Sequence, residues 1–391
     1  MQPYINYHTV NWRDGMKVNK DHFIQQENAM LDAMRDMTAL QITPYNYGLL
    51  SGVSDQNALE LTADLASSRK LSVLLTRCRA ITPGGARIEV NTSAGDTSSI
   101  KAEHQVQDDD QLLYDVIVTV NPFSRQPIGA PDPEEVPLRH PYTAPNYQLQ
   151  IVPSHQIDIT DLGAYHLTLA KVRVIGNEVK VSDKFIPPSS RVTAHPAIVE
   201  FYNQLMGDMV KTGAHARQVI VKMRLKSEQS QLVANLFNLS EEVLSFIASH
   251  LDFARLRLLH LPPIHLLELF TKFARTVRVS LDCMSDNGRE EMLNYIQEWT
   301  EVRPGNLENT VNALLESDYD HLELYSLLDL SVKFTSLMEV LFAKLSDLDY
   351  IGKPKEPERP KEPERPNNRG VFVRENAPPV DTKKKGGFWK I

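Results

Sequence analysis

Residues 10–50 read VNWRDGMKVNKDHFIQQENAMLDAMRDMTALQITPYNYGLL, and the change of pattern within them decides how the rest of the chain is read. Trp12 stands beside a turn pair, Asp14-Gly15, and apolar residues then follow at helical spacing: Phe23, Leu31, Met34 and Leu40. Asn19 is the expected N-cap, since its short side chain can accept from an unpaired amide of the first turn. Pro44 and the pair Tyr47-Gly48 end the helix and open a strand. No residue in the stretch has the company a reacting centre needs.

Outward from Tyr47, as far as about Pro196, the pattern is β. Leu59 to Leu65, Leu71 to Ile81, Tyr114 to Val120, Tyr147 to Val152 and His166 to Ile175 are short runs rich in Val, Ile, Leu and Tyr. Turn chemistry separates them at Pro83-Gly84-Gly85, Asn121-Pro122, the proline-rich Pro127 to Pro145 and Gly176-Asn177. Short strands at this spacing predict a β-sandwich.

Beyond Pro196 the period becomes helical. Ile198, Phe201, Tyr202, Leu205 and Met209 form one stripe that continues through Val219, Ile220 and Met223. A second helix is predicted over Leu232 to Leu259, with Ser240 as a cap and Glu241 and Glu242 in the first turn. A third follows Pro262-Pro263 over Ile264 to Leu281, and a later one spans Tyr319 to Leu348. The predicted class is therefore α+β: a β-sandwich domain with its arm and helix in residues 1–195, a helical bundle in 196–350, and a Pro- and charge-rich extended tail in 351–391.

Of 391 residues, 42% are hydrophobic and 24% charged, a soluble composition without a run of eighteen apolar residues or an export signal. Residues 351–391 carry eleven Lys/Arg against six Asp/Glu, a net of +5 that leaves −13 on residues 1–350. So acidic a body argues against a nucleic-acid partner. Cys78 and Cys283 read as buried free thiols rather than a disulfide or a metal pair.

Chemistry-bearing motifs are scarce. His260 and His265 lack a third ligand at metal spacing, and Asp108-Asp-Asp110 lacks the alternating oxygens and central Gly of a calcium loop. Phosphate-loop, dinucleotide and nucleophile-elbow patterns are absent from the sequence. No catalytic residue, cofactor or metal is predicted, and His22 reads as a hydrogen-bonding group at a helix start. Trp12, Phe23 and Tyr47 fit either core packing or an arm laid across a neighbour, and the sequence leaves both open.

The order of motifs resembles TssK, the baseplate family of bacterial type VI secretion systems. Trp12, Gly15-Met16, His22-Phe23 and Gln25-Gln26 match its W-x-x-G-M…H-F-x-Q-Q segment, and Pro44-Tyr-Asn-Tyr-Gly48 its P-Y-x-W-G, with Tyr47 in place of Trp. Ile81-Thr-Pro-Gly-Gly85 stands at its I-x-P-x-G turn. Leu169-Ala-Lys-Val172 and Phe185-Ile-Pro-Pro188 match the close of its first domain. In the helical half, Pro263-Ile-His-Leu-Leu267 with Phe273-Ala274, and Tyr319-Asp-His-Leu-Glu-Leu324, are similar to later segments, although Thr276-Val277 replaces a small Gly region. The resemblance implies a homotrimer with a β-sandwich shoulder related to phage receptor-binding proteins and a helical-bundle neck. It also implies a wedge partnership with TssF and TssG, a membrane-complex partner, and a cytoplasmic location at the inner face of the inner membrane. On it, Trp12, Met16, His22, Phe23, Gln25 and Gln26 become the baseplate-interface candidates. The runner-up is a receptor-binding or tail-adaptor protein of a phage-like contractile particle.

The family carries a separate head domain after its neck, whereas 41 residues follow Tyr350 here, so a variant without that head is expected. Lys355-Glu-Pro-Glu-Arg-Pro360 repeats as Lys361-Glu-Pro-Glu-Arg-Pro366, a predicted stiff spacer at roughly 3 Å per residue. Phe372, in the β-prone Val371-Phe-Val-Arg374, together with Lys383, Lys384, Lys385, Phe388 and Trp389, are the candidates for docking the membrane complex.

Overall fold

In the computed structural model the described residues are 4–53, 56–92, 99–106, 111–156, 162–226, 230–300 and 302–352. Helix α1 (Lys20–Ala39) opens on Asn19 in a capping box: Asn19 Oδ1 accepts from His22 N, and His22 Nδ1 accepts from Asn19 N. Among the described residues nine strands follow: β1 (Gly48–Leu49), β2 (Leu59–Leu65), β3 (Lys70–Ile81), β4 (Arg87–Asn91), β5 (Ile100–Gln105), β6 (Gln111–Ile128), β7 (Tyr142–Pro153), β8 (His166–Ile175) and β9 (Glu178–Val181).

They form two antiparallel sheets. In the five-stranded one, β3 pairs with β1, β2, β4 and β5; the four-stranded one runs β7-β6-β8-β9. Along β3 the buried residues are Leu71, Val73 and Leu75, and the alternation then shifts by one, a slip matched by the register break at Glu60/Leu61 on β2.

 After the break the buried positions on β3 are Cys78 and Ala80. Inward side chains of both sheets, among them Leu71, Val73, Val116, Val118, Leu149 and Leu167, merge into one hydrophobic cluster.

The helical half comprises α2 (Pro196–Lys226), α3 (Gln231–Leu256), α4 (Ile264–Asp282), α5 (Asp286–Thr300), α6 (Pro304–Glu316) and α7 (Leu324–Asp347). Its own cluster is centred on rings. Phe246 stacks on Phe273 at 5.0 Å, and Phe273 meets Phe334 edge-on at 5.1 Å. Ile351 is buried in the same cluster. The mixed helix-and-strand class therefore stands, with α1 ahead of the strands and α2 to α7 after them.

Several local expectations are corrected. Ser240 is no cap: it lies inside α3, buried, with its hydroxyl donating to Leu236 O, and Ser230 caps the helix by accepting from Val233 N. The last helix starts at Leu324, because His321 is drawn into the interior and breaks the run from Tyr319. Helices α5 and α6 were not predicted at all. Asn121-Pro122 and the ends of the Pro127 to Pro145 segment lie within β6 and β7, where the register shifts between Asn121 and Arg125 instead of turning. Cys78 is buried, and burial pushes its thiol up to about 12, but Cys283 is exposed.

Three motifs distant in sequence meet at β1. Leu49 N donates to Pro188 O at 2.7 Å, and Ser190 N donates to Leu49 O at 2.8 Å. A Cβ on Gly48, whose φ is +105°, would lie 2.0 Å from Pro188 O, so only glycine permits this approach. From the helical half, His321 Nε2 donates to Tyr47 O at 2.9 Å while its ring packs on the Tyr47 ring.

Candidate interaction surface

Helix α1 is built with its polarity reversed. Its buried residues are Asn28, Ala29, Asp32, Arg35 and Ala39, whereas Phe23, Met30, Met34 and Met37 are 62%, 57%, 65% and 71% exposed. The exposed four are spaced i, i+7, i+11 and i+14, which places them in one row opposite the buried side. An amphipathic helix on a folded domain ordinarily does the opposite.

Polar bonds hold the buried side. Arg35 Nε donates to Asp32 Oδ1 at 2.8 Å, and its other nitrogens reach Gly84 O and Tyr4 O. Asp32 Oδ2 accepts from Asn6 N at 2.6 Å and from Tyr7 N at 3.1 Å. Burial works to raise the Asp32 carboxyl, but these backbone bonds and Arg35 outweigh it and hold it below its ordinary value. Arg125 of β6 pairs with Glu27 and donates to Asn28 Oδ1 at 2.7 Å. The turn after β3 makes room, since a Cβ on Gly85 would come within 2.7 Å of Arg35 O and 2.9 Å of Ala39 N.

The amino-terminal arm runs back along α1. Asn6 and Tyr7 sit at Asp32, Val10 N donates to Gln26 Oε1 at 3.1 Å, and Gln25 Nε2 donates to His8 O at 3.1 Å. Farther along, the Trp12 ring lies 6.1 Å from His22 and 6.3 Å from Phe23. Tyr7 in turn packs on Phe123 at 4.5 Å.

The predicted site residues thus divide by task. Gln25 and Gln26 pin the arm, His22 caps the helix, Trp12 and Phe23 are exposed together, and Met16 is half-buried. Sequence reasoning missed Met30 and Met37, which extend the exposed row. The signal was present in Asn28, Asp32 and Arg35, polar residues at i, i+4 and i+7. Phe372, Lys383, Lys384, Lys385, Phe388 and Trp389 lie outside the described residues, as do Asp108, Asp109 and Asp110. His265 Nδ1 meets Glu268 Oε2 at 3.0 Å, and among the described residues no group of three His, Cys, Asp or Glu could hold a metal ion. No helix among them is long and apolar enough to cross a membrane.

An exposed apolar row of this size, on a helix fixed by buried polar bonds, is of the kind that a protein partner covers. Methionine suits it, because a flexible, polarizable side chain adapts to the opposing surface.

No protein-family model and no curated protein sequence matches the chain. Solved structures do. A crystal structure of TssK is 17% identical, with 86% of this chain and 69% of that one covered and a TM-score of 0.51. A chain of the cryo-electron-microscopy TssK-TssF-TssG baseplate subcomplex of a type VI secretion system is 14% identical, covering 86% and 100%, at a TM-score of 0.45. TssK from the EAEC type VI secretion system, in complex with nanobody nb18, is 16% identical over 82% and 99%, at 0.45. The likeness to the first is one of fold, and it extends over most of this chain.

Proposed function

We propose that the chain is a TssK-like subunit of a type VI secretion baseplate, with a structural and not an enzymatic role. The ordered motifs support this reading, as does the TssK fold at a TM-score of 0.51. In it, residues 1–195 are the β-sandwich shoulder, 196–350 the neck, and 351–391 the linker and tail. Three copies assemble, their shoulders join the wedge of TssF and TssG, and the assembly works in the cytoplasm at the inner face of the inner membrane.

The observation that carries the docking role is the reversed polarity of α1. The wedge would cover Trp12, Phe23 and the methionine row, and burying side chains of that size is worth roughly 1.5–3 kcal/mol each before the costs of association. The tail is the second contact. Phe388 and Trp389 would anchor an envelope protein, and three copies raise the effective concentration of that weak anchor.

Affinity purification from the native organism, with the full-length chain as bait, tests both. Wild type is expected to recover wedge and envelope proteins. The Phe388→Ala, Trp389→Ala double variant is expected to keep the wedge and lose the envelope protein. Recovery of no wedge protein by wild type would overturn the assignment, and unchanged envelope recovery by the double variant would overturn the tail's role.

A further inference from the structure

We infer that the groove between α3 and α4 receives an amphipathic helix of a partner protein, its apolar stripe turned inward and a row of carboxylates along the α4 side. The two helices run antiparallel here. Phe246 stacks on Phe273 towards one end, while a Cβ on Gly288, at the start of α5, would lie 2.8 Å from Asn235 Nδ2 at the other. The cavity between them measures about 1000 Å3. Along α3 its wall runs from Gln231 to His250, about 28 Å of helix at roughly 1.5 Å per residue. A helix about 10 Å across, sunk to half its depth over that length, fills on the order of 1,100 Å3. Length and volume together fit a helix, and a compact ligand would leave most of the groove empty.

The floor is apolar where the stripe would lie. Phe246 is backed by the Phe273 ring, Met284 is half-buried, and Val279, midway along the α4 side, is 53% exposed. Residues spaced i, i+3, i+4 and i+7 on an incoming helix cover a row of this kind.

Polar groups set the orientation. The charged residues of the wall are Lys272 and Arg275 on α4 and Glu242 on α3. Lys272 is engaged by Glu268 at 2.6 Å, whereas Arg275 and Glu242 have no ion-pair partner among the described residues. A carboxylate row is therefore drawn to the α4 side and repelled from the α3 side. At the Met284 end Asn235 is only 4% exposed; its Oδ1 accepts from Gln231 Nε2 at 3.0 Å, and its Nδ2 has no hydrogen-bond partner among the described residues. A buried amide donor calls for an acceptor, which a glutamate side chain of the incoming helix supplies. None of these residues belongs to α1 or to the sheets, so the inference does not depend on the baseplate reading.

The test uses the full chain and three fluorescent synthetic peptides. In LAQLEAALAQLEAALAQLEA the leucines form one stripe flanked by one row of glutamates; LAQLKAALAQLKAALAQLKA reverses the charge, and LAQLEAPLAQLEAPLAQLEA breaks the helix with two prolines. Anisotropy titration is expected to give saturable binding of the glutamate helix and at least tenfold weaker binding of the other two. Arg275→Glu, at an exposed position, is expected to bind the glutamate helix at least tenfold more weakly and to gain affinity for the lysine helix, a gain that a misfolded chain would not show. Lys211→Glu makes the same charge change at an exposed position of α2 outside the groove and is expected to leave both affinities within twofold. Equal binding of the glutamate and lysine helices, full binding of the proline peptide, or wild-type affinity in Arg275→Glu would overturn the inference. So would an equal loss in Lys211→Glu, which would assign the effect to overall charge, and so would binding that appears only on dilution of the chain, which would give the groove to a second copy.

Discussion

His321 has both ring nitrogens committed. Nε2 donates to Tyr47 O, which leaves Nδ1 to accept from Tyr319 Oη at 2.7 Å, and burial pushes the imidazole down to about 4. Unfolded, the same group titrates near 6.5. Between those values the unfolded chain binds the extra proton, so stability is complete above about 6.5 and falls as pH drops toward 4. His321→Gln abolishes this dependence. Urea unfolding at pH 7.5 and 4.5 is expected to show wild type losing about 2.5 kcal/mol more than the variant over that interval; equal losses would contradict it. At Arg35 the effect is not pH but pairing. Arg35→Met leaves Asp32 as a buried, unpaired charge and is expected to cost about 3 kcal/mol, with faster amide exchange at Asn6 and Tyr7 because both donate to that carboxylate. The sequence marked His321 only as part of a motif; its bond to Tyr47 spans 274 positions, and no local pattern encodes such a partner.

Among elements, α1 shows what periodicity does and does not reveal. Apolar spacing located the helix, and the capping residue Asn19 was legible, but the spacing was silent on which side the protein covers. Only the polar residues at 28, 32 and 35, set against their partners Arg125, Gly84 and the arm, answer that. Helices α5 and α6 escaped for a different reason. Their segments, DNGREEMLNYIQEWT and PGNLENTVNALLE, bury narrow stripes such as Met292, Leu293 and Ile296, or Leu307, Val311 and Leu314, diluted by polar residues. In α3 a serine followed by two glutamates imitated a helix start, while Ser230 held the cap. Strand β6 outran its reading because the kink at Asn121-Pro122 is absorbed as a register shift. Met30→Ser, Met34→Ser and Met37→Ser together are expected to leave thermal unfolding within about 2 °C of wild type, since the side chains replaced are already in solvent. A large fall in Tm would show that the row is part of the fold.

For the molecule as a whole, the sheet core and the helical core are separate clusters, and the motifs read in sequence fall where parts meet. Tyr47-Gly48, Pro187-Pro188 and Tyr319-Asp-His321 converge on β1; Gly84-Gly85 lies beneath α1, and Trp12 to Gln26 form the arm and its helix. At Gly48 and Gly85 a Cβ would collide with the backbone brought against it, so these approaches require glycine. The acidic body and basic tail are legible from charge alone.

The most direct measurement is paired affinity purification from the native organism with two full-length baits, wild type and the Met30→Ser, Met34→Ser, Met37→Ser variant. Wild type is expected to recover the baseplate wedge, and the variant, folded to the same Tm, to lose it at least tenfold. Wedge recovery undiminished by the variant would contradict the claim that α1 turns its apolar row outward to dock the baseplate.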